Sequence, residues 1–76
     1  MLPNKVVSLS ESIIWYFPDI LEPLLQDSMK INDLWDLLKA KIQDINTFLY
    51  CLDALYVLGK IQFNNESEMI EYVKED

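Results

Sequence analysis

The chain has 76 residues, 51% of them apolar and 12% aromatic, with 6 Lys and no Arg against 13 Asp plus Glu, for a formal net charge of −7. This is a single domain, near the lower limit at which an apolar core suffices without disulfides or metal, and too apolar to be disordered. With no histidine, one cysteine and one glycine, the composition argues against histidine-based catalysis, a four-ligand zinc site, a disulfide framework and a glycine-rich phosphate cradle.

In chain order, Met1 to Val7 reads as an extended N-terminal segment, because Pro3 disfavours helix at Leu2. Ser8-Leu9-Ser10-Glu11 fits a capping box, and a first helix is expected to follow through Ile13, Ile14, Trp15 and Phe17. Pro18 and Pro23 each remove a backbone donor, so a break or kink near Phe17 and a short restarted helix are expected. Ser28 to Ile31 reads as a short strand able to pair with a later hairpin. Asn32 is read as the cap of a second helix over Asp33 to Ile42, with acids at its start, Lys39 and Lys41 at its end, and Ile31, Leu34, Trp35 and Leu38 on one stripe.

After a turn at Gln43 to Ile45, Asn46 is read as the cap of a third helix that stops at Gly59. Ile61-Gln62-Phe63 alternates like a half-buried strand, Asn64 to Ser67 turns, and Glu68 to Val73 returns. Residues 60–73 would form a wing hairpin, and the whole chain a mainly α, winged helix-turn-helix-like domain with a small β-hairpin.

The third helix decides the functional reading. At 100° per residue, Phe48, Cys51, Leu52, Leu55 and Leu58 share one arc with Ala54 at its edge, and this arc is expected to face the core. The opposite arc holds Leu49, Tyr50, Asp53, Tyr56 and Val57, where a solvated helix would be polar and a DNA-reading helix would carry Arg, Lys, Asn or Gln. Either this arc docks on another protein, with Tyr50 and Tyr56 as aromatic anchors, or it packs inside the domain against the segment carrying Trp15, Tyr16 and Phe17. Trp15 and Trp35 themselves are read as core residues. Cys51 lies on the apolar arc, so it is read as an inert buried thiol rather than a nucleophile.

Phosphate would repel so acidic a chain unless its lysines clustered, and Lys5, Lys30, Lys39, Lys41, Lys60 and Lys74 are dispersed. No nucleic acid is therefore expected as a direct partner. No apolar run is long enough to span a membrane, and the start lacks the layout of a signal peptide, so a cytoplasmic location is expected. The carboxylates Asp33, Asp36, Glu66, Glu68 and Glu71 lie in the most polar stretches, where a solvated surface is the better reading than catalytic acids. No enzymatic activity, metal or cofactor is expected.

Leu2-Pro3-Asn4-Lys5 with Ser8-Leu9-Ser10, Leu34-Trp35 after a short strand, and Leu52-Asp53-Ala54-Leu55-Tyr56-Val57-Leu58-Gly59-Lys60-Ile61 together resemble the small middle components of ABC three-component, Lamassu-like anti-phage systems. The resemblance covers almost the whole chain and implies a continuous apolar first helix across the region that here holds Pro18 and Pro23. It also implies an adaptor beside an SMC- or Rad50-like ABC ATPase and a separate effector subunit. Self-association into a homo-oligomer stays open. The rival readings are a winged-helix DNA-binding transcriptional regulator, acting through its wing, and an acidic phage-type inhibitor that mimics the charge of DNA.

Overall fold

The computed structural model describes residues 3–74, with side chains from Ile13 onward. Among the described residues the order is α1 (Pro3–Gln26), β1 (Met29–Lys30), α2 (Ile31–Ile42), α3 (Ile45–Val57), β2 (Ile61–Asn64) and β3 (Met69–Tyr72). The strands form one antiparallel sheet in the order β1-β3-β2. The fold is thus mainly α with a small sheet, in a winged-helix-like arrangement.

The first helix differs most from expectation. It starts at Pro3, so residues 3–7 are helical rather than extended, and Ser8 lies inside the helix rather than at its cap. Met1 and Leu2 fall outside the described residues. The helix also runs through Pro18 and Pro23 without a break. Each proline forfeits one i→i−4 bond, a penalty of about 3 kcal/mol or more. Burial along one face offsets it: Ile20 and Leu24 are immersed, and Ile13, Tyr16, Phe17 and Leu21 are half-buried against the same core. Full burial of one such side chain is worth about 1.5–3 kcal/mol. Pro18 sits on the exposed side, where water can take the carbonyl it leaves unpaired.

Lys30 is held extended (φ −71°, ψ 151°) by pairing with Met69, and α2 begins at the very next residue. Asn32 is therefore a first-turn residue and not the cap, and no side chain among the described residues caps this helix. The stripe of α2 buries Leu34, Leu38 and Ile42, while Trp35 is half-buried with its ring 5.1 Å from that of Phe48. Gln43 ends the helix in the left-handed region (φ 69°) and donates its N–H to the Lys39 carbonyl.

Asp44, not Asn46, caps α3: one carboxylate oxygen accepts from the Asn46 N–H at 3.1 Å and the other from the Thr47 hydroxyl at 3.2 Å. A carboxylate at this end also meets the positive pole of the helix dipole. The far end follows the sequence reading. Gly59 is left-handed (φ 78°), its N–H bonds Tyr56 O at 3.0 Å, and the Lys60 N–H bonds Leu55 O at 2.9 Å. This pair of bonds is a Schellman terminus.

The hairpin closes through Asn64, whose side-chain oxygen accepts from the backbone N–H of Glu66 and Ser67. Lys41 on α2 reaches Asp19 on α1 at 3.2 Å, and Lys39 reaches Asp36 at 3.4 Å. No helix among the described residues is long and apolar enough to cross a membrane.

Candidate functional site

The two faces of α3 separate cleanly. Phe48, Cys51, Leu52 and Leu55 are buried, as the inner arc requires. Leu58 is an exception: it belongs to the same arc on paper but is exposed, because the helix ends at Val57 and Leu58 turns into the terminus. Trp15 is a second exception, 80% exposed on α1 rather than part of the core. Its position falls off the Ile13, Phe17, Ile20, Leu24 face.

The outer arc lies open. Leu49, Tyr50, Tyr56 and Val57 are exposed at between 44% and 80%, and Asp53 is exposed among them. None of them is covered by the segment carrying Trp15, Tyr16 and Phe17. Four of the five, Leu49, Tyr50, Asp53 and Tyr56, form one wall of a groove of about 430 Å³. The sheet supplies the opposite wall through Ile61, Gln62 and Phe63 of β2, and Ile31 at the start of α2 joins it. Val57 is exposed beyond the groove rather than lining it.

Phe63 and Ile31 were not singled out by the sequence reading as site residues. Alternation places Ile61 and Phe63 on one face of β2, and there Ile61 is sealed in the core while Phe63 stays 50% exposed. The signal was present in the run Ile61-Gln62-Phe63, but only the three-dimensional arrangement shows that the core stops between the two.

The chemistry of the groove is simple. Among the described residues Asp53 is the single charged one lining it, and its carboxylate makes no hydrogen bond or ion pair there. On the outward face of the hairpin, Glu71 accepts from the Gln62 amide at 2.8 Å and from the Asn64 amide at 3.1 Å. These two bonds hold its carboxyl below the usual 4.5. Cys51, at the buried side of α3, points its thiol at the Ile13 carbonyl at 3.7 Å, and burial pushes its pKa up to about 11. A thiol so placed stays protonated and is a poor nucleophile near neutral pH. No cluster of three or more potential metal ligands occurs among the described residues.

What the fold and this face define is a small winged-helix-like domain with an open, mostly apolar groove beside its third helix. The profile of the ABC-three component (ABC-3C) system Middle Component 7 family matches residues 2–70, so the chain belongs to that family. It is a middle component of a multi-component system, which entails protein partners. No curated protein and no solved structure matches the chain.

Proposed function

We propose that this chain is a non-catalytic adaptor, the small accessory subunit that joins an SMC- or Rad50-like ABC ATPase to an effector subunit in a Lamassu-like anti-phage system. The outer face of α3, Leu49, Tyr50, Asp53, Tyr56 and Val57, is its docking surface. The observation that carries this reading is that a face built from leucine, valine and two tyrosines stands in solvent within a folded subunit. A helix apolar on both sides is one that ends up buried on both sides, and exposed apolar patches mark interaction sites. Family membership supplies the setting, a system with further components.

Co-expression of the three components, followed by affinity purification and size-exclusion chromatography, tests it. The expected result is a stable complex that Tyr50→Asp or Tyr56→Asp dissolves while the free variants stay folded. A monomer that ignores both other components overturns the adaptor role. A salt-dependent shift of duplex DNA by the isolated protein at low micromolar concentration would favour the regulator reading instead.

A further inference from the structure

Among the described residues, the groove borders a strand edge without a neighbour: in the order β1-β3-β2, the strand β2 pairs on one side only. Its register sets Gln62 opposite Glu71 and Phe63 opposite Ile70, and the Val73 N–H bonds the Lys60 carbonyl at 2.9 Å. In an antiparallel ladder, directly bonded pairs alternate with unbonded ones. The Lys60 carbonyl and the backbone groups of Gln62 therefore face the returning chain, and the N–H and C=O of Ile61 and Phe63 point to the free edge. Folded proteins guard such edges with lysine, proline or a bulge. Ile61-Gln62-Phe63-Asn64 contains no charged residue and no proline.

We propose that the partner enters as an extended, basic segment that adds a strand to the free edge of β2, its apolar side chains filling the groove between Phe63 and the α3 wall and a Lys or Arg meeting Asp53. This rests on the reading of the α3 face as a docking surface and names what docks there. A strand satisfies the outward backbone groups of Ile61 and Phe63, whereas a helix, whose own backbone bonds are internal, would leave them unpaired. Charge selects the composition of the segment. The one charged side chain that lines the groove among the described residues is a carboxylate on a chain of net charge −7. A second copy would set like charge against like, and a basic segment is attracted.

The test uses the complex of this chain with the other two components of its system. Because the Phe63 N–H faces away from β3, Phe63→Pro blocks strand addition without breaking a bond of the hairpin. Phe63→Ala, which removes the ring but keeps the N–H, is its control. Phe63→Pro is expected to bind about tenfold more weakly than Phe63→Ala, and Asp53→Lys about tenfold more weakly than wild type. In the wild-type complex, exchange of the Phe63 amide proton is expected to slow markedly relative to the free chain. That last measurement decides the matter even if Phe63→Pro does not fold.

Equal binding by Phe63→Pro and Phe63→Ala with an unprotected Phe63 amide overturns strand addition, and leaves the docking face standing if Tyr50→Asp and Tyr56→Asp still dissolve the complex. Complexes indifferent to both tyrosine variants count against the docking face instead. Tighter binding by Asp53→Lys, or a homodimer through this edge seen by light scattering, overturns the basic partner.

Discussion

The inner and outer faces of α3 are made of nearly the same material and have opposite fates. Phe48, Cys51, Leu52 and Leu55 vanish into the core, while Leu49, Tyr50, Tyr56 and Val57 remain in water. Composition alone does not separate them, since each face holds large apolar side chains. The separation comes from which side α1, α2 and the sheet can reach. In a chain this small there is not enough body to cover both sides of a central helix. The uncovered side is available for another polypeptide.

Substitutions on the two faces should therefore act on different quantities. The largest effect expected on stability is Phe48→Ala, which removes a buried ring packed on Trp35. It should cost about 3–5 kcal/mol, much of what holds a domain together when total stability is about 5–15 kcal/mol. Urea unfolding followed by circular dichroism reads this directly. A loss below about 1 kcal/mol would erase the contrast between the faces.

Across the helix, Tyr50→Ala and Tyr56→Ala should each move the unfolding free energy by no more than about 0.5 kcal/mol. The same changes should weaken the complex with the other components by about 2 kcal/mol, roughly thirtyfold, if the rings are its anchors. Calorimetric titration measures the second quantity, and an unaltered affinity would mean that the face is exposed without being used.

Smaller effects test the ends of the helices. Gly59 adopts φ 78° with open space where a Cβ would sit, so Gly59→Ala should cost about 1 kcal/mol from backbone strain alone. Gln43, left-handed at φ 69° without being glycine, offers the reverse. Gln43→Gly should gain up to about 1 kcal/mol. Thermal unfolding of the two variants side by side checks both signs.

Cys51 and Glu71 give the least perturbing probes. The folded pKa of Cys51 lies near 11 against an ordinary 9.0, so its contribution is complete below pH 9 and is lost as pH rises toward 11. Native protein should react with Ellman's reagent at pH 8 far more slowly than unfolded protein. For Glu71 the folded value is depressed, so its contribution is present above the ordinary 4.5 and disappears as acid titrates the folded carboxylate. Glu71→Gln should flatten the acid limb of the stability profile, a change visible in melts taken from pH 6 down to pH 3.

Much of this architecture was written in local patterns. The 3.6-residue stripe of Leu34 and Leu38, the inner arc of α3, the stop at Gly59 and the pairing of Met29 and Lys30 with the hairpin all follow from neighbouring residues. What was misread is where distant contacts outvote local rules. Pro18 and Pro23 break helices in isolation, but the packing of Ile20 and Leu24 carries α1 across them. Asn46 is a good cap by type, but Asp44 two residues earlier is one as well, and it is Asp44 that takes the Asn46 N–H in the fold. In the site, the α3 wall was visible from helical spacing. The Phe63 wall was not, because alternation tells which face a side chain takes but not how far the core extends beneath it.

The Schellman terminus has a mechanical consequence. Only Leu58, Gly59 and Lys60 separate the end of α3 from the start of β2, and their backbone is stitched down by the bonds to Ala54, Leu55 and Tyr56. The two jaws of the cleft thus share one short, splinted joint and have no slack with which to open or shut at that end. A partner that docks as proposed would therefore spend little of its affinity on ordering the host and, on tilting one jaw, would carry the other along.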